Sequence, residues 1–572
     1  MKKKQIITLL VAMSITAGSV SGCGVSVKSS ECATNDPVRV QSFCETAPSV
    51  EETCEEADYE EAPCEEANYV EEAPAACEEA CEDVYNDSDE YGSTESAANS
   101  RQLSATKTTG EGSYLDEIYG DSKDYADTNE EYSELEEIGF KSVRRSPLST
   151  FAADVDTASY SNMRRMLMDG YYVQDLPKDS IRIEELVNYF DYNYKNPKGN
   201  DPFGVTTVLG DCPWNDRAKL LSIGLKTEDI NFADTPASNL VFLIDVSGSM
   251  FSDDKLPLLQ DAFCMLTNEL TSKDRVSIVT YAGSDSIVLK GAKGNENRKI
   301  KNAINDLEAG GSTNGSAGIE TAYELAEKYF IKGGNNRVIL ATDGDLNVGI
   351  TSVGGLEDFI SEKKESGVFL SVLGFGSGNI KDNRMEVLAD KGNGNYAYID
   401  SQREAKKVLV KELSANMLTV CKDVKFQVEF NPEAVKGYRL IGYSNRVMAN
   451  KDFNDDTKDG GEIGAGHTVT ALYELVLRQN AEDELLDLNI RFKRPSSETS
   501  ELLTYPVTLD SYEKYPGDDF LFQSAVAEFG LVASRSEYAE GANLDDVQYI
   551  LESIDLNDEY KEEFLDMVRY CR

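Results

Sequence analysis

Asn239-Leu240-Val241-Phe242-Leu243-Ile244-Asp245-Val246-Ser247-Gly248-Ser249 is the stretch from which the fold is read. Five consecutive apolar residues make a segment too short for a core helix, and it stops abruptly at an aspartate and a Ser/Gly loop. A strand that is apolar on both faces is covered on both faces, as parallel strands inside layered α/β structures are. Working outward, 256–270 reads as a helix, 275–281 and 286–289 as strands, and 317–330 as a helix. Strands at 338–341, 368–374 and 396–399 follow, interleaved with helices at 356–363, 384–389 and 404–415. This alternation predicts a doubly wound α/β sheet over 235–416, with its ligand site at the carboxyl ends of the strands.

Three loops belong to that edge. Asp245-Val246-Ser247-Gly248-Ser249 ends the first strand, Gly311-Ser312-Thr313 precedes a helix, and Thr342-Asp343-Gly344 ends a later strand. Asp245, Asp343, Ser247, Ser249 and Thr313 supply two carboxylates and three hydroxyls. Such hard oxygen donors suit Mg²⁺ or Mn²⁺ and disfavour zinc. Few formal charges directly on the cation leave it electrophilic, so an acidic side chain from a partner can complete the octahedron.

Asp-x-Ser-x-Ser, a distant Thr and Thr-Asp-Gly, in this order, resemble the metal-ion-dependent adhesion site of the von Willebrand factor type A domain. By position, the resemblance implies direct ligation by Ser247, Ser249 and Thr313, with Asp245 and Asp343 largely behind waters. It also implies a protein-binding role and no catalysis. The likeness runs wider. Leu148-Ser149-Thr150-Phe151, Asp156-Thr157-Ala158-Ser159-Tyr160, Arg182-Ile183-Glu184-Glu185 and Gly464-Ala465-Gly466-His467-Thr468 look like segments of bacterial YfbK-type proteins. The match covers about residues 146–572.

Other chemistries fit poorly. His467 is the only histidine in 572 residues, so a histidine cluster is excluded; no nucleophile elbow stands near it for a Ser-His-Asp hydrolase. Asp154-Val155-Asp156-Thr157 has the outline of a phosphatase nucleophile loop, but Ala158 stands where that motif needs Thr or Val. Capping of the following helix by Asp156 or Thr157 is expected instead. Asp343-Gly344-Asp345-Leu346-Asn347 opens like an EF-hand and fails at Val348, where Gly is required. The acidic segment 452–462 reads as a solvated loop, with a weak Ca²⁺ site as the alternative. Cys264 falls on an apolar helical face as a buried thiol.

On either side of the α/β unit, 146–234 reads as an N-terminal region of the YfbK type, with a capped helical stretch over 149–192. Residues 417–572 read as a β-sandwich of short strands followed by terminal helices. Residues 1–22 have the parts of an export signal: Lys2-Lys3-Lys4, an apolar run from 6 to 20, then Val20-Ser21-Gly22. Cys23 completes a lipobox-like ending, which predicts a lipidated N-terminus and a cell-membrane anchor on the extracytoplasmic face. The alternative is an ordinary signal peptide with an incidental cysteine.

Residues 23–145 read as an acidic, disordered stalk. Between 24 and 140 there are 33 acidic and 5 basic residues, too much charge and too little apolar surface to offset ordering entropy. A ten-residue acidic repeat begins at Cys54 and again at Cys64. The six stalk cysteines after Cys23 (Cys32, Cys44, Cys54, Cys64, Cys77 and Cys81) could form disulfides or simply follow from repeat duplication, and no CxxC pair or histidine supports zinc. A net charge of −47 argues against nucleic acid and against electrostatic membrane binding, leaving a protein partner and a lipid anchor. An accessory subunit of an envelope assembly machine, using the α/β domain as a conformational relay, is the alternative role.

Overall fold

Strand β1 (Ser238–Asp245) runs through the middle of a six-stranded sheet in the computed structural model, which describes residues 129–153, 156–310, 318–344 and 353–571. The other strands are β2 (Arg275–Tyr281), β3 (Asp285–Lys293), β4 (Asn335–Thr342), β5 (Phe369–Phe375) and β6 (Tyr396–Ile399). Their order is β6-β5-β4-β1-β2-β3, parallel except for β3, which pairs antiparallel with β2.

The apolar run of β1 is divided between two cores. Leu240, Phe242 and Ile244 face one layer with α1 (Leu256–Glu269) and α2 (Asn297–Asn305), where Phe242 stacks on Phe263 with ring centroids 4.3 Å apart. Val241 and Leu243 face the other, with α3 (Gly318–Lys328), α4 (Val353–Lys364) and α5 (Asp382–Lys391). The strand order reverses between β1 and β4, so their carboxyl ends form the crevice where such sheets bind ligands. The α/β architecture follows the sequence reading. Helix α2 was not foreseen, because only Ile300 and Ile304 mark its buried face.

The flanks are less separate than the sequence suggests. Residues 149–151, read as part of a helical stretch, lie in a strand (Leu148–Ala152) that pairs antiparallel with Thr419–Phe430. Two further strands, Gly204–Asp211 and Lys219–Lys226, pair with each other, and the second pairs with Thr468–Leu477. Strands from before and after the α/β domain therefore complete the same sandwich, around a core that includes Phe426, Tyr443 and Tyr473. A fourth core joins the helices Ala158–Met168 and Ile183–Asn188 to Asp518–Ala533, Leu544–Ser553 and Glu559–Tyr570.

The expected stalk boundary at 145 is corrected. Residues 129–145 lie against the folded body, because their acids find cations there. Glu130 pairs with Arg165 at 3.1 Å, Glu131 with Lys381 at 2.8 Å and Glu137 with Arg439 at 3.1 Å, and Val143 is buried. The export signal, Cys23 and the stalk up to 128 lie outside the described residues.

Candidate functional site

Asp245 is the last residue of β1 and has no exposed surface. Its Oδ1 accepts the Ser247 amide at 2.8 Å, and the Thr342 hydroxyl lies 3.4 Å from Oδ2. The chain then turns through Gly248–Phe251, which brings the Ser247 and Ser249 hydroxyls to 2.9 Å of each other. Ser247 is buried and Ser249 exposed, so the pair leads from the interior to the surface. Phe251, on the same turn, is 80% exposed.

Asp343 follows β4 directly and is also buried. Gly344 must be glycine: its φ is 113°, and a Cβ there would lie 2.2 Å from the Asn379 carbonyl oxygen. Burial pushes the Asp245 carboxyl up to about 6; the nearby Asp343 carboxylate adds to this and the Ser247 amide works against it. Two acids buried side by side at the end of adjacent strands form an arrangement that a cation relieves.

The structure thus brings together four of the five residues named from sequence: Asp245, Ser247, Ser249 and Asp343. Thr313 lies in 311–317, outside the described residues. The described chain reaches Gly310, whose amide donates to the Val246 carbonyl at 2.8 Å. One site residue was missed. Lys255 Nζ donates to Asp343 Oδ2 at 2.8 Å, across 88 residues of sequence. The available signal was a lysine placed immediately before a helix, where a cation is disfavoured.

The other candidates resolve differently. Thr157 stands at the N-cap of helix Ala158–Met168 without a side-chain capping bond. Asp156 accepts the Tyr396 amide at 2.9 Å and pairs with Arg446 at 3.2 Å, so its charge holds domains together. Asp154 lies outside the described residues. Burial, with a smaller effect of Lys407, pushes His467 down to about 4, so it is neutral near pH 7. Cys264 is half-buried rather than buried, and Cys212, Cys264, Cys421 and Cys571 are all free.

From the acidic segment 452–462, Asp459 and Glu462 meet Asp423, with one carboxylate oxygen of each within 4.8 Å of the others. Lys364 holds Asp459 at 2.9 Å and Lys493 holds Asp423 at 2.7 Å. Two of the three charges are answered by ammonium groups, one of them from α4, so this cluster is an ion-paired seam between the α/β domain and the sandwich.

Comparison with known proteins agrees with this architecture. The von Willebrand factor type A domain family matches residues 239–412, a von Willebrand factor family matches 126–222, and the C-terminal family of uncharacterized protein YfbK matches 415–482 and 478–572. Inter-alpha-trypsin inhibitor heavy chain H4 of Homo sapiens is 29% identical over 152 residues, 25% of this chain and 16% of that one. A solved von Willebrand factor type A protein from Catenulispora acidiphila is 15% identical, with a TM-score of 0.37, and is matched over 66% of this chain and 91% of that one. The uncharacterized protein YfbK of Escherichia coli (strain K12) is 42% identical over 435 residues, 71% of this chain and 74% of that protein. With that identity over that length, and the type A domain in its centre, the chain belongs to the YfbK family.

Proposed function

We propose that this chain is a lipid-anchored extracytoplasmic binding protein whose type A domain captures an acidic group of a protein partner through a divalent cation, Mg²⁺ or Mn²⁺. The observation that carries the reading is the convergence of Asp245 and Asp343, both buried, beside the paired hydroxyls of Ser247 and Ser249. The donor set fits: every group is a hard oxygen, and the buried acids need a counter-charge. Asp245, Ser247, Ser249, Asp343 and, three residues beyond Gly310, Thr313 would hold the cation. Bound there, it supplies a positive point with a coordination position open to a carboxylate.

The chain's own residues prepare that point. The Ser247 amide fixes Asp245, Lys255 fixes Asp343, and the exposed Phe251 offers an apolar contact at the rim. An exposed aromatic beside a charged anchor is the kind of side chain that concentrates binding energy at protein interfaces.

The test combines metal and partner. Calorimetric titration with Mn²⁺ is expected to give binding that Asp245→Ala abolishes, and capture of envelope proteins in Mg²⁺ is expected to disappear in EDTA and in the variant. Capture that survives both would overturn the metal bridge.

One observation favours the relay reading as a second possibility. Arg164 grips Asp400 and Glu404 where β6 leads into the helical segment beyond it, and Lys411 of that segment pairs with Glu559 at 2.6 Å. A shift of this segment would be passed directly to the helical flank.

A further inference from the structure

Lys255 is built into the site against local electrostatics. It immediately precedes α1, and the N-terminal end of a helix carries partial positive charge that disfavours an ammonium. It is nonetheless 8% exposed, with its Nζ 2.8 Å from Asp343 Oδ2. Its stem is accommodated by Gly376, just past β5. That residue has φ 73°, and a Cβ there would lie 2.2 Å from Lys255 Cγ. The fold therefore reserves space in a second element to hold this ammonium on this carboxylate.

We propose that Lys255 is a resident counter-cation of the metal site: it weakens the divalent cation's affinity and keeps the loaded site net positive, so that an anionic partner group is drawn to it. This rests on the cation-dependent reading given above. Two carboxylates and one ammonium leave one net negative charge, which a divalent cation turns into one net positive charge. Without Lys255 the loaded site would be neutral. Residues 141–572 alone carry a net charge of −22, so a neutral site would offer an acidic partner no compensation for the surrounding negative surface. Lys255 thus exchanges affinity for the metal against affinity for the partner's acid.

The two effects have opposite signs, which makes the proposal testable on the full chain purified in detergent. Mn²⁺ affinity is measured by calorimetric titration. Attraction of a carboxylate is measured as the broadening of the acetate methyl resonance per bound Mn²⁺. Lys255→Met is expected to bind Mn²⁺ at least about tenfold tighter, a difference of about 1.4 kcal/mol, and to broaden acetate at least about twofold less. Lys255→Arg keeps the charge and is expected to match the wild type in both. Lys255→Gln removes only the charge, and serves if the methionine variant fails to fold.

Unchanged or weaker Mn²⁺ binding in the neutral variants overturns the proposal, as does an equal gain in Lys255→Arg. Wild-type Mn²⁺ binding that persists in Asp245→Ala identifies a different failure, that of the metal site itself.

Discussion

Glu528 lies on helix Asp518–Ala533 with no exposed surface. Its Oε1 accepts the Asn543 amide at 3.1 Å, while Oε2 has no hydrogen-bond partner. Burial pushes the carboxyl up to about 7; the Asn543 amide opposes this and Asp546 adds to it. Between its unfolded value near 4.5 and about 7, the folded protein binds this proton more tightly than the unfolded chain, so stability falls as pH rises through that window. Glu528→Gln removes the ionisation and keeps the shape. It is expected to stabilise by about 1–2 kcal/mol at pH 8, and by much less at pH 5, read as the shift in urea midpoint at each pH. Equal shifts at both pH values would contradict the assignment. His467 runs the other way: held neutral by burial, its contribution is lost as pH falls from about 6.5 to about 4. At this scale the sequence was informative where a residue's role is set by its neighbours in the chain. Asp245 and Ser247 could be named because a strand ends there, whereas Lys255 could not be paired with Asp343, which is remote in sequence and close only after folding.

Elements follow the same division. The central strands were legible because each is buried on both faces and so carries a continuous apolar run. Strands Gly204–Asp211 and Lys219–Lys226 were not, since Gly, Thr and Lys interrupt them and one partner, Thr468–Leu477, arrives some 250 residues later. The junction between elements is equally non-local. Arg164, on helix Ala158–Met168, contacts Asp400 at 2.6 Å, Glu404 at 2.8 Å and Glu563 at 3.0 Å, with its own side chain 4% exposed. The Tyr189 hydroxyl also donates to Glu404, at 2.6 Å. Removing one member of a buried ionic network leaves the others as uncompensated charges, which costs more than the network contributes net. Arg164→Met is therefore expected to destabilise by about 3–5 kcal/mol in urea unfolding. Adding Glu404→Gln is expected to recover part of that loss, because one stranded charge is removed. A loss below about 1 kcal/mol would mean that the network behaves like a surface ion pair and does not hold the helical flank to β6.

Over the whole molecule, the net charge of −47 is unevenly placed: 33 acidic and only 5 basic residues fall between 24 and 140. The end of that acidic run is consumed structurally, since Glu130, Glu131 and Glu137 answer Arg165, Lys381 and Arg439 on the folded body. What precedes it has no basic residue from 40 to 100, so electrostatics can only push this part of the chain away from anionic headgroups. In the proposed reading, attachment to a membrane comes from acyl chains on Cys23. That separates two kinds of membrane association by their response to salt. Charge-mediated binding is lost at about 1 M salt, where the Debye length is about 3 Å, while burial of acyl chains is strengthened or unchanged. The wild-type protein is therefore expected to incorporate labelled palmitate and to remain in the membrane fraction through a high-salt wash. Cys23→Ala is expected to lose both the label and the retention. If the variant stays membrane-bound in high salt, the anchor is not on Cys23. If the wild type takes up no label, the acidic segment is not the tether of a lipoprotein, and the type A domain must reach its partner from solution.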